Sequence, residues 1–229
     1  MKIISNAIIA GAVFGGHNVA IAQDLEAYAG VAISNAYVSQ GLTYNESVTI
    51  QPYVELGYGG FYGGIWVTNA DADLLGDSQE VDYYVGYRGS TGSFSYGLEY
   101  ALYTFTADDF EEFDYELPDY SEFIASASYA VNDAFSVTGR AGYAPEVDDG
   151  EGNVVAVTDL SLTAKYHFDE LTASATYGTI DDEADGWDYW SVGLSTYVSD
   201  RAYVSLDYID SSIQDSTILV TFGIDFSLL

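Results

Sequence analysis

The 229-residue sequence contains no cysteine, which excludes disulfide bonds and metal sites built on thiolates. It is also poor in positive charge, with 5 Lys and Arg residues against 36 Asp and Glu residues. Nucleic-acid binding needs clustered Lys and Arg to contact phosphate, so that class of function is excluded. A chain this acidic is typical of a protein that interacts with cations or that is exposed to a salt-rich environment.

Long hydrophobic runs are absent beyond the N-terminus. There, Lys2 supplies a positive start, residues 3–14 form a short apolar core, and Ala20-Ile21-Ala22 is an A-x-A cleavage site. A membrane anchor helix, the alternative, needs a longer apolar run. We therefore predict a signal peptide at residues 1–22 and exclude these residues from the fold.

The rest of the sequence is rich in tyrosine (22 residues) and glycine (23 residues), and it alternates between apolar and polar positions. In 48–57 and 94–102, every second residue is apolar, as in a strand with one apolar face. The same period predicts about twelve strands, at residues 26–39, 48–57, 61–69, 80–89, 93–106, 120–130, 134–144, 154–168, 171–179, 187–198, 202–210 and 216–228.

The connections between these strands alternate between short and long. Short turns are predicted at 59–60, 91–92, 132–133, 169–170 and 199–201, and long polar loops at 40–47, 70–79, 107–119, 145–153, 180–186 and 211–215. Such alternation is typical of an all-β, up-and-down antiparallel transmembrane β-barrel of the bacterial outer membrane. We therefore predict one outer-membrane β-barrel domain at residues 23–229. Tyrosines near the predicted strand ends would form its aromatic girdles: Tyr37, Tyr58, Tyr103, Tyr143 and Tyr197. A soluble β-sandwich and a lipocalin-like barrel share the period of two and are the alternatives.

In such a barrel, the polar face of each strand lines the lumen. The alternation places charges of both signs there, and the predicted pore-lining residues are Glu55, Asp82, Arg88, Glu99, Glu122, Arg140, Asp159, Lys165, Asp207 and Asp225. Strand pairing would also bring Arg140 near Glu122. Either these charges filter solutes, or they form ion pairs that brace a narrow barrel.

Part of the sequence resembles the TorF-type family of bacterial outer-membrane porins. The resemblance rests on 34–42 (SNAYVSQGL), 60–69 (GFYGGIWVTN) and 80–87 (EVDYYVGY), and it is densest over residues 30–105. Gln40 stands where the family usually has Arg. The resemblance implies an outer-membrane barrel and leaves the solute open.

Two features of the sequence, His167 and residues 148–153, are candidates for catalysis or metal binding. His167 is the one histidine after the predicted signal peptide, and a barrel hydrolase would need a serine beside it. No serine motif marks such a partner, so we predict no catalytic residues and no cofactor. Residues 148–153 (DDGEGN) carry oxygen ligands that would suit Ca²⁺, but they lack a complete calcium loop. We therefore assign no metal ligands.

From the sequence we predict a passive diffusion channel for small solutes that favours cations. Its partners would be outer-membrane lipids, lipopolysaccharide and small solutes or cations. The alternatives are a closed structural barrel whose acidic loops bind divalent cations at the membrane surface, and an outer-membrane hydrolase.

Overall fold

The structure is a computed structural model that describes residues 25–69, 79–106, 119–148, 153–182 and 186–229. Its strands are β1 (Leu25–Ser34), β2 (Tyr37–Ser39), β3 (Leu42–Asn45), β4 (Thr49–Tyr58), β5 (Phe61–Asn69), β6 (Gln79–Thr91), β7 (Phe94–Thr106), β8 (Tyr120–Ala130), β9 (Phe135–Asp148), β10 (Val154–Phe168), β11 (Leu171–Asp181), β12 (Trp187–Tyr197), β13 (Ala202–Ser211) and β14 (Thr217–Ser227). Within these ranges, no helix is long and apolar enough to cross a membrane. The predicted signal peptide lies outside the described residues.

Twelve strands form one closed antiparallel barrel, in the order β1-β14-β13-β12-β11-β10-β9-β8-β7-β6-β5-β4. The barrel closes because β1 pairs with β14 on one side and with β4 on the other. Its shortest strand has 9 residues and its longest 15. A transmembrane strand needs about 9–11 residues. The predicted fold class, an up-and-down barrel of about twelve strands, is confirmed.

The outer face of the barrel is apolar and the inner face is polar. Large hydrophobic side chains stay exposed on the outside of strand after strand, among them Val54, Leu56, Leu98, Leu162, Val192, Leu194 and Val220. A water-soluble protein rarely leaves an apolar surface of this extent uncovered. The outer face therefore has the character of a surface that contacts lipid.

Short and long connections lie at opposite ends of the barrel, as the sequence predicts. At the short-turn end, the β4–β5 turn needs only Gly59 and Gly60, whose φ angles of 60° and 88° suit glycine. Asp169, with a φ of 53°, opens the β10–β11 turn at the same end. The opposite end, called the long-loop end below, carries the wider connections. Most of the acidic loops there (70–78, 107–118, 149–152 and 183–185) lie outside the described residues.

The predicted strand 26–39 and loop 40–47 are wrong. The wall strand β1 ends at Ser34, because Asn35 turns the chain away from the wall. The Asn35 side chain accepts a hydrogen bond from Val220 N (2.6 Å) and donates one to Ile218 O (3.0 Å), so it occupies the edge of β14 that a longer β1 would pair with. The chain then forms a separate β2–β3 hairpin, whose turn at Gln40 and Gly41 has two positive φ angles (48° and 81°).

Three of the predicted girdle tyrosines face the interior of the barrel instead. Tyr58 and Tyr143 are exposed on the outer face, whereas Tyr37 and Tyr103 are 2% and 0% exposed inside the barrel. Tyr197 pairs with Tyr203 on the inner face of the wall and is exposed at the short-turn end of the lumen. Tyr37 belongs to the hairpin rather than to the wall, and Tyr103 lies on the inner face of β7. The position of a tyrosine near a strand end therefore does not decide which face it occupies.

Candidate functional site: the barrel interior

The ten predicted pore-lining residues all lie on the polar, inner face of the barrel. Glu55, Asp82, Glu122 and Asp159 are buried, between 0% and 7% exposed. The other six are partly exposed, namely Arg88, Glu99, Arg140, Lys165, Asp207 and Asp225. The structure gathers most of them into small polar groups rather than leaving them separate around the wall. Whether they line a conducting pore remains a prediction.

One group is centred on Arg88 of β6. Its Nη2 lies 2.7 Å from Glu55 Oε1, and its guanidinium carbon lies 4.6 Å from the ring centroid of Tyr62. The Tyr62 hydroxyl in turn donates a 2.8 Å hydrogen bond to Glu99. The group thus spans β4, β5, β6 and β7 and fixes two carboxylates and one cation on one side of the lumen.

A second group is centred on Arg140 of β9. Arg140 Nη2 lies 3.0 Å from Glu122 Oε1, and Nη1 contacts Asp159. Tyr103 donates a 2.8 Å hydrogen bond to the second oxygen of Glu122, and Tyr189 donates one of 3.4 Å to Asp159. One guanidinium therefore joins carboxylates from the strands on both sides of it, β8 and β10.

The Arg140–Glu122 pair forms although the two residues are not direct neighbours in the register. Arg140 pairs with Ser126, four residues along β8 from Glu122. The long Arg140 side chain extends along the inner face of the wall and contacts Glu122 in the space beside Gly142. A Cβ at position 142 would collide with the Glu122 carboxylate and crowd Arg140, so this glycine keeps the space in which the pair forms.

The remaining predicted residues have weaker partners. Asp225 accepts a 3.0 Å hydrogen bond from the Tyr53 hydroxyl, and Asp207 accepts one of 3.0 Å from Ser205. Lys165 and Asp207 attract each other electrostatically, without the close contact of an ion pair. Around them, the lumen wall is lined by small hydroxyl side chains, such as the pair formed by Thr163 and Thr176.

The β2–β3 hairpin folds into the long-loop end of the barrel, which the sequence analysis missed. Thr43 N donates a 2.5 Å hydrogen bond to Gln214 Oε1, and Gln214 Nε2 donates one to Thr43 O (3.3 Å). Thr43 Oγ1 also lies 2.7 Å from Thr217 Oγ1, and Trp187 Nε1 donates to Gln40 O at 2.9 Å. These contacts hold β3 and the hairpin turn against β12, β14 and the chain segment before β14.

The hairpin completes a buried aromatic cluster. Tyr37 lies 5.6 Å from Tyr44 and 5.8 Å from Trp66 between ring centroids, and all three are almost fully buried. The cluster continues across the lumen through further buried residues, including Tyr84, Tyr103, Tyr120, Trp187 and Tyr189. Burial raises the pKa of the Tyr37 phenol well above its ordinary value, so this hydroxyl stays neutral. The sequence does contain one signal for this hairpin, because Gln40-Gly41, a pair of residues suited to a tight turn, stands between two short alternating segments.

Two further sequence hypotheses concern residues outside these groups. His167 lies at the short-turn end, where its Nδ1 is 2.8 Å from the hydroxyl of Thr172. The calcium hypothesis for 148–153 falls mainly on residues outside the described ranges. In the part of the chain that the structure describes, no three His, Cys, Asp or Glu side chains are grouped as metal ligands.

Comparison with solved structures finds similar barrels. The KdgM porin superposes with a TM-score of 0.60 at 13% identity and covers 90% of this chain and 100% of its own. A second KdgM structure, titled as a complex with disordered oligogalacturonate, gives 0.59 at 14% identity over 90% and 100%. CymD, a monoaromatic hydrocarbon channel, gives 0.50 at 12% identity over 89% and 88%. At these identities the likeness establishes the fold.

No curated relative matches the sequence. A family of bacterial proteins does match it, over residues 20–226, and its description gives no function. This match does not confirm the TorF-type resemblance by name, which still rests on the motifs at 34–42, 60–69 and 80–87. Since the match covers most of the chain, the protein belongs to the Gcw_chp family, described as bacterial proteins of unknown function.

Proposed function

We propose that the protein is an outer-membrane channel through which small solutes diffuse passively. The observation that carries this proposal is a closed barrel with an apolar exterior and a charged, hydroxyl-lined interior. A soluble barrel needs the opposite arrangement. The likeness to KdgM and CymD, titled as a porin and a channel, supports the same class. In this setting the outer face contacts membrane lipid, and the long-loop end faces lipopolysaccharide.

Cations are the favoured solutes. Of the ten predicted pore-lining residues, seven are carboxylic acids and three are basic. Both arginines are held by carboxylates, and each group keeps at least as many acids as cations. A lumen of net negative charge concentrates cations and repels anions. An acidic sugar chain such as the oligogalacturonate named with KdgM is therefore not the solute we propose here.

A planar-bilayer measurement tests this proposal. With a KCl gradient across the membrane, we expect steady single-channel steps and a reversal potential that favours K⁺. Asp207→Asn removes a partly exposed lumen charge without touching either arginine group, so it should lower the K⁺ preference. Asp133→Asn, in the β8–β9 turn, is the control and should leave the preference unchanged. A reversal potential that favours Cl⁻ would contradict the cation preference.

The second candidate is a closed barrel with a structural role at the membrane surface. It is favoured by one observation, the buried aromatic cluster and inserted hairpin at the long-loop end. If folded barrels carry no current, but barrels without the hairpin do, the native protein is closed by that hairpin. If neither carries current, the channel proposal is wrong.

A further inference from the structure

Two buried acids lie beneath the hairpin without a neutralising partner. Glu80 and Asp82, on the inner face of β6, are 1% and 0% exposed. Both oxygens of Asp82 and Oε1 of Glu80 lack a hydrogen-bond partner. Buried carboxylates without such partners are rare, since the lost hydration must be replaced.

Tyr37 of the hairpin closes the space around the two acids. The Tyr37 hydroxyl and the Asp82 carboxyl both lie close to the Glu80 carboxyl, yet Glu80 Oε1 and both Asp82 oxygens are left without a hydrogen-bond partner. The Tyr37 hydroxyl is a further buried oxygen without a partner. Three neighbouring side chains from two chain segments thus carry four buried oxygens without a hydrogen-bond partner: Asp82 Oδ1, Asp82 Oδ2, Glu80 Oε1 and Tyr37 Oη.

Further carboxylic acids surround the pair. The carboxylates of Glu80, Glu99 and Glu122 all act on Asp82. Arg88 is engaged by Glu55, and Arg140 by Glu122 and Asp159, so neither guanidinium neutralises the pair. A bound cation would supply the positive charge and the missing partners of this buried, all-oxygen group, and a proton shared by the two acids is the alternative.

We propose that Glu80, Asp82 and Tyr37 form a binding site for a hard divalent cation of the Ca²⁺ or Mg²⁺ class. Carboxylate, phenol and water oxygens are the ligands that such ions prefer, and a site with two carboxylates leaves the remaining positions to water. Because Tyr37 belongs to the hairpin and the acids belong to the wall, the bound ion ties the hairpin to β6. The site is independent of whether the barrel conducts.

Tb³⁺, a Ca²⁺ substitute whose luminescence is sensitised by nearby tyrosine, is the probe. We expect the folded barrel in detergent at neutral pH to show Tb³⁺ luminescence that Ca²⁺ displaces. Asp82→Asn and Glu80→Gln keep the side-chain shape, and each should weaken Ca²⁺ displacement by about tenfold or more. Glu46→Gln, an exposed acid at the same end, is the matched control and should change little.

Thermal unfolding provides a second readout that does not depend on luminescence. Ca²⁺ should raise the melting temperature of the native barrel, and a chelator should lower it, because a ligand that binds only the folded state stabilises that state. Glu80→Gln should abolish this shift, and it serves as the test if Asp82→Asn fails to fold. Equal Ca²⁺ binding in the native protein and in Glu80→Gln would overturn the proposal. So would a native barrel without Ca²⁺ or Mg²⁺ binding, since the two acids would then share a proton instead.

Discussion

Arg140 illustrates how a single side chain organises the interior. Its guanidinium lies between the carboxylates of Glu122 and Asp159, and each of these carboxylates also accepts a hydrogen bond from a tyrosine hydroxyl. All the charges are largely withdrawn from water, so their energies depend on every partner being present. The group is therefore sensitive both to the loss of one partner and to the loss of space at Gly142.

Replacing Arg140 by Met keeps the length of the side chain and removes its charge. We expect the free energy of unfolding to fall by about 3–5 kcal/mol, because Glu122 and Asp159 are left buried and unpaired. Urea titration of the barrel in phospholipid vesicles, followed by tryptophan fluorescence, measures this loss. The triple variant Arg140→Met, Glu122→Gln, Asp159→Asn removes all three charges and should recover much of it. A single variant as stable as the native protein would show that the ion pairs contribute no net stability.

If the barrel conducts as proposed, the β2–β3 hairpin is the element that most affects the passage of a solute. It is nine residues from Tyr37 to Asn45, too short for an independently stable hairpin. It is held by bonds to residues more than 140 positions away, such as Gln214 and Trp187. Because the hairpin lies at the long-loop end of the lumen, it reduces the space available to a solute there.

Replacement of residues 36–46 by a short Gly-Ser turn should raise single-channel conductance several-fold, because the turn leaves the long-loop end unfilled. Conductance in a planar bilayer measures the change. A smaller perturbation, Gln214→Ala, removes two hydrogen bonds to Thr43 at a cost of about 1 kcal/mol each. It should increase transitions between conductance levels without deleting the hairpin. Unchanged conductance in the deletion variant would mean that the constriction lies elsewhere in the lumen.

At the scale of the whole molecule, the inside and outside of the barrel have exchanged the roles they have in a soluble protein. The outer face carries exposed Leu, Val and Phe side chains, and the interior carries the charges. This inversion is stable only if hydrocarbon rather than water surrounds the barrel.

Arginine placed on each face tests the inversion. Leu162→Arg puts a charge on the outer face of β10, at a residue that is 57% exposed. In vesicles we expect this variant to lose about 2–4 kcal/mol of unfolding free energy. Thr163→Arg, one residue along, puts the same side chain into the lumen among small hydroxyls and should lose far less. Equal losses for the two variants would contradict the membrane-spanning arrangement.

The sequence by itself determined the wall of the barrel. Apolar–polar alternation and the order of short and long connections are local properties, so they predict strand number, pairing and the inward face of residues such as Arg88 and Asp159. They also predict that Arg140 and Glu122 lie on the same face of adjacent strands, because strands that follow each other in the chain pair with each other in an up-and-down barrel.

Only the tertiary structure decided what fills the barrel. The hairpin, the inward turn of Tyr37 and the pairing of Thr43 with Gln214 depend on contacts between segments far apart in sequence. A pattern read along one strand contains no information about such contacts. The physical reason is that an isolated hairpin gains too little from its own few hydrogen bonds, and the closed wall supplies the buried surface that holds it.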